Sequence, residues 1–120
     1  MKKARLLKLA RFVERVPPQK FDMNFWARAK GPVTRLPRCA TKACALGWAT
    51  AIPEFKRAGL ELIAECPGGD HAEVHFDGST GRSAAMKFFD LDYDESEIFF
   101  GGANNPKEKA QEIRDVVRAA

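Results

Sequence analysis

Between Ala43 and Ile52 the chain reads Ala-Cys-Ala-Leu-Gly-Trp-Ala-Thr-Ala-Ile, with no charge anywhere in the run. A helix apolar on every side has no face to offer water, so this segment predicts a buried central helix that the rest of the chain must surround. Thr41 stands where it can cap that helix, and the alanines favour it. Small side chains let neighbours approach closely, and Gly47 suits a tight crossing better than it suits helix propensity. Pro53 either bends the helix or starts a further turn carrying Glu54, Phe55 and Lys56, and Gly59 stops it.

The flanking segments supply material to cover such a centre. Over residues 3–15, Leu6, Leu9, Ala10 and Val13 recur at three- and four-residue steps, extended by Val16, which predicts an amphipathic helix ended by Pro17-Pro18. Phe21, Phe25 and Trp26 lay aromatics onto the core, and Lys30 to Pro37 reads as a basic loop. Partial alternation over Leu60–Glu65 and Ala72–Asp77, with a turn at Cys66-Pro67-Gly68-Gly69-Asp70, predicts a small hairpin. Gly78 through Gly81 reads as a loop. Ser83 is the expected cap of a helix through Phe88-Phe89, and Asp94 with Glu97 has capping-box spacing for a turn containing Ile98 to Phe100. The last helix has the clearest start: Asn105 as cap, Pro106 in the first position, Glu108 in the third, then a stripe of Ala110, Ile113, Val116 and Val117.

These elements predict a mainly α fold, a compact bundle of four or five helices with a small β-hairpin. At 120 residues and 45% hydrophobic, one domain over 1–120 with one core is expected, needing neither disulfide nor metal to fold. The leucine-rich, basic start resembles a signal peptide, but Arg11, Glu14 and Arg15 interrupt it before an apolar region forms, and no stretch is long enough to span a bilayer. Three cysteines, an odd number, argue against a fully paired secreted framework, so the expected address is the cytoplasm, without membrane attachment.

Charge is divided along the chain. Residues 1–60 hold fourteen Lys/Arg against three Asp/Glu, a net of +11, while residues 61–120 hold six against thirteen, a net of −7. Either the halves pack and neutralise each other, or the surface is electrically polarised and steers nucleic acid, an acidic partner or another copy of the chain. The anion-binding candidates are Lys8, Arg11 and Arg15 on the first helix, Arg35 and Arg38 in the basic loop, and Lys42.

Chemistry has thinner support. Cys39, Cys44 and Cys66 with His71 or His75 are enough donors for a tetrahedral zinc site, but their spacing follows no recognised pattern, and Cys44 on an apolar face reads as a packing residue. Cys39 beside Arg38 and Lys42 would favour a thiolate if exposed. Asp90-Leu91-Asp92-Tyr93-Asp94 opens like a calcium loop but has Glu95 where that loop needs Gly and Gly101 where it needs Glu, so it reads as a solvated loop whose last acid caps the next turn. Gly101-Gly102 lacks the Gly-Lys-Ser/Thr ending of a phosphate loop. No cofactor motif and no catalytic set is identified.

Cys39-Ala-Thr-Lys-Ala-Cys-Ala-Leu-Gly-Trp-Ala49, Ile52-Pro-Glu-Phe55, Gly59-Leu60, Ala85 to Phe89-Asp-Leu91 and Glu97-Ile-Phe-Phe100 together resemble a group of small uncharacterised proteins of bacteria and their phages, from Phe21 to the last helix. The resemblance implies a common fold and carries no activity, cofactor or partner across. This chain has Asp90 where that group tends to have Gly. The functional expectation is a small, non-enzymatic interaction or regulatory protein that binds a protein partner or itself. Alternatives are nucleic-acid binding through the basic half, or a small enzyme with a His/Cys site.

Overall fold

The computed structural model describes residues 1–24, 27–28, 42–64 and 71–120. Among them are five α-helices, two 3-10 turns and four short strands, so the fold is mainly α with a minor sheet.

The amphipathic start forms α1 (Lys3–Val13), which buries Leu6, Leu9, Ala10 and Val13. Pro17 ends its path and opens a 3-10 turn over Pro18–Lys20. Phe21 is buried and pairs in a parallel bridge with Ala43, through Ala43 N–H to Lys20 O (3.1 Å) and Asp22 N–H to Ala43 O (3.0 Å). That bridge corrects the expected start of the central helix: with Ala43 held extended, α2 begins only at Ala45 and ends at Ala49. Its cap is Cys44 rather than Thr41, which lies outside the described residues; the Cys44 sulfur accepts from Gly47 N–H at 3.4 Å. The burial expectation holds, since all five α2 residues are enclosed. The Trp48 indole N–H donates to Lys20 O at 3.0 Å, tying the helix to the preceding turn.

Pro53 starts a separate helix, α3 (Pro53–Arg57), with only Phe55 buried. Leu60 N–H donates to Phe55 O and Gly59 N–H to Lys56 O, both 3.0 Å, the paired bonds of a Schellman termination. Gly59 sits at φ +105°, and a side chain there would also meet the Phe76 ring.

The hairpin is present as β2 (Glu61–Ala64) antiparallel to β3 (His71–Phe76), with Leu62 opposite Val74 and Ile63 opposite Glu73. β3 is the central strand: β1 (Ala27–Arg28) pairs with its start and β4 (Ser79–Thr80) with its end, both on the edge away from β2. Ala72 and Val74 face the core while Glu73 and His75 stay partly exposed, the period of two of a half-buried strand. The loop expected at Gly78–Gly81 is thus a second, tight hairpin. Asp77 (φ 49°) and Gly78 (φ 76°) form its two-residue turn, with both residues at the positive φ that a type I′ turn requires.

Helix α4 (Gly81–Phe89) starts two residues before the expected cap, so Ser83 lies inside it and Thr80 precedes it without a side-chain cap. It ends at Asp90, which is left-handed (φ 53°, ψ 60°), a conformation that Gly adopts more readily than Asp. The capping box of the next turn, Glu95–Phe99, is displaced from Asp94 and Glu97 to Asp92 and Glu95. Glu95 N–H donates to Asp92 Oδ1 (2.7 Å) and Asp92 N–H to Glu95 Oε1 (2.9 Å). Asp94 is itself in the helical region, where its carboxylate has no first-turn N–H to accept.

Helix α5 (Pro106–Ala119) has the cap expected of it, Asn105 Oδ1 accepting from Lys107 and Glu108 N–H. It lies along α1, with Ala110, Ile113 and Val117 buried and Arg114 paired to Glu14 at 2.8 Å. Between the helices and the sheet sits an aromatic cluster. Phe88 makes edge-to-face contacts with Phe55, Phe76 and Phe89, and Phe89 stacks on Phe99.

Candidate functional site

The burial of Leu6, Leu9 and Val13 turns the opposite side of α1 outward. Ala4, Lys8 and Arg11 are spaced to fall on that side, and Arg15 follows in the turn after the helix. Helix α3 runs beside it, and between the two lies a groove of about 510 Å³. Arg5, Leu7, Lys8 and Arg11 line it from α1, and Glu54, Phe55 and Ala58 from the other side. Leu7 is 41% exposed, while Phe55 is buried and forms the floor. The groove therefore has an apolar strip edged by three cations and one carboxylate.

The three cations differ in what already holds them. The Arg5 guanidinium donates to Phe88 O at 2.7 Å and lies 4.1 Å over the Phe88 ring, so it belongs to the fold. The Lys8 ammonium crosses the groove to Glu54, and this hydrogen bond, reinforced by its charge, holds the Glu54 carboxyl below the usual range. Arg11 is exposed and has no ion-pair partner among the described residues, and the same is true of Arg15 in the turn after the helix. Lys42 is exposed at the bridge that precedes α2. Arg35 and Arg38 lie outside the described residues.

Among the side-chain ion pairs of the described residues, none joins a Lys or Arg of residues 1–60 to an Asp or Glu of residues 61–120. Within the acidic half, Arg82 pairs with Glu97 (2.7 Å) and Lys109 with Glu112 (2.6 Å). Two pairs do cross: the Met1 ammonium to Asp90 (3.1 Å), and Arg114 to Glu14, which has the opposite sense and leaves the first half more basic. A shallower depression of about 380 Å³ between the 3-10 turn and α5 is edged by Glu97, Glu112 and Asp115, two of which these pairs already occupy.

The candidate zinc donors do not form a described cluster. Cys39 and Cys66 lie outside the described residues, and His71 is placed only as the first residue of β3. Cys44 is buried and used as a cap, and burial pushes its thiol up to about 11. His75, four residues on from His71, approaches Glu73 at 3.5 Å. Among the described residues no group of three His, Cys, Asp or Glu side chains converges as a metal site.

Because the folded thiol keeps its proton to about pH 11 and the unfolded one loses it near 9.0, the unfolded state binds fewer protons across that window. The contribution to stability is complete below the lower value and falls as pH rises, by roughly 2–3 kcal/mol in all. Cys44→Ala is expected to abolish this alkaline loss in urea titrations followed against pH. With Cys39 and Cys66 replaced by Ser, native protein should leave Ellman's reagent unreacted and urea-unfolded protein should consume one equivalent.

Two polar arrangements escaped sequence reasoning. Lys109 is fully enclosed, its ammonium donating to Ile98 O, Gly101 O and Glu112 Oε2. Arg82 lies between the Tyr93 and Phe100 rings, 4.1 Å from each. The first was signalled by spacing, since Pro106, Lys109, Ala110, Ile113 and Val117 share one helical face. No known family, curated protein or solved structure matches this chain. No helix of the described residues is long and apolar enough to cross a membrane.

Proposed function

We propose that this chain is a small non-enzymatic binding protein of the cytoplasm, which engages an acidic protein partner through the basic groove of α1 and α3. The observation that carries the reading is that, among the described residues, no Asp or Glu of 61–120 pairs with a Lys or Arg of 1–60, and Arg11 stands unpaired beside an exposed Leu7. Charge of one sign next to apolar surface suits a protein segment, whose affinity comes from apolar contact and whose approach is steered by charge. The outward row of Lys8, Arg11 and Arg15 also favours a second reading, contact with nucleic-acid phosphates.

Fluorescence anisotropy separates the two. The probes are a labelled acidic amphipathic peptide of alternating Glu and Leu faces, a mixed-sequence DNA duplex and a single-stranded RNA, each at low and moderate salt. The expected result is peptide binding at moderate salt at least about tenfold tighter than either nucleic acid. Tighter nucleic-acid binding that falls steeply with salt and vanishes in Lys8→Ala/Arg11→Ala/Arg15→Ala would replace the first reading with the second.

A further inference from the structure

Lys8 and Glu54 face each other across the groove rather than along one helix, so their ion pair is a clasp between its two walls. Both side chains remain substantially exposed, 41% and 57%, and an exposed ion pair contributes little to stability. Its position matters more: it occupies the one lysine in the groove, three residues before the open Arg11 and next to Leu7. Lys8 and Arg11 sit one helical turn apart on α1. A ligand helix laid in the groove would present carboxylates at the same one-turn spacing, with an apolar side chain between them over Leu7 and the Phe55 floor.

We infer that Glu54 is a built-in competitor that holds Lys8 until an acidic amphipathic helix of a protein partner displaces it with its own carboxylate. The inference rests on the proposed reading of the groove and adds the partner's shape, the two cations it meets and the residue that opposes it. A partner without acidic residues would gain nothing from opening the clasp. A highly charged partner without apolar residues would leave Leu7 uncovered.

The test measures binding of a labelled fifteen-residue Glu/Leu amphipathic peptide to the full chain and to single variants, at about 50 mM salt. Glu54→Gln frees Lys8 and is expected to tighten binding about three- to tenfold, whereas Arg11→Ala weakens it by a similar factor. Asp94→Asn, which changes net charge equally but lies away from the groove, should leave affinity within about twofold. Equal tightening by Asp94→Asn would show a general charge effect and overturn the competitor role. Binding that Arg11→Ala weakens but Glu54→Gln leaves unchanged would also overturn that role, while the groove reading stands. Binding indifferent to both, or no binding at this salt, would overturn the groove reading and the inference with it. Thermal unfolding of each variant, expected within about 2 °C of the parent, separates these outcomes from loss of fold.

Discussion

Lys109→Ala is expected to lower the stability of the folded chain by about 3–5 kcal/mol, as a clear fall in the midpoint of urea unfolding. The side chain is completely enclosed, yet each of its three donors is taken, by Ile98 O at 2.8 Å, Gly101 O at 2.7 Å and Glu112 Oε2 at 2.6 Å. Alanine leaves two inward carbonyls and a carboxylate without their donor and opens space where the stem had packed. The loss spreads along the chain, because Glu112 also accepts from Ala103 N–H at 2.7 Å and lies directly against Gly102. Gly102 stands at φ +78°, so this turn is held in shape by the pair on α5. Glu112→Gln keeps one acceptor oxygen for the two donors, Ala103 N–H and Lys109, removes the charge facing the ammonium, and should cost about 2 kcal/mol. Lys109→Met, which retains most of the packing, should fall between the two. A Lys109→Ala loss below about 1 kcal/mol would mean that water reaches the ammonium in place of these acceptors.

How far the sequence revealed this molecule depended on whether local chemistry or tertiary pairing decided each boundary. The two long helices were legible because their apolar residues repeat at helical spacing and their ends carry explicit signals, Pro17 after α1 and Asn105-Pro106 before α5. The central helix was recognisable as buried, but not its length, because Ala43 is recruited to an extended bridge with Phe21, twenty-two residues away. That competition is non-local and leaves no mark in the alanine pattern. The Asp77-Gly78 turn, by contrast, was written in the sequence as an Asp-Gly pair following an alternating strand. It was missed because β4 is only two residues long. The capping box slipped from Asp94 and Glu97 to Asp92 and Glu95 because an acidic run offers the same spacing twice. Of the candidate site, the cations of α1 follow from periodicity. The facing wall from α3, and with it Glu54 opposite Lys8, depends on how two helices pack.

Phe88→Ala should be comparably destabilising, about 3–5 kcal/mol, with consequences that reach the groove. Phe88 is fully buried, with ring centroids 4.9 Å from Phe55 and 5.0 Å from both Phe76 and Phe89. Those partners stand on α3, β3 and α4, so one ring joins three elements, and each edge-to-face contact adds to what its area alone supplies. Phe88 also carries the Arg5 guanidinium on its face at 4.1 Å while its carbonyl accepts from the same group. Alanine therefore removes the support beneath Phe55, the groove floor, and the stack that fixes Arg5 at the groove wall. Leucine fills much of the volume but has no ring face, so Phe88→Leu should cost less than about half as much. If the wall depends on the stack, Phe88→Leu will also weaken the acidic peptide while remaining folded, whereas Phe99→Leu, on the far side of the cluster, will lose similar stability without that effect. Urea midpoints and peptide anisotropy on the same two variants separate the two roles, since stability follows packing in both and affinity follows Arg5 in only one.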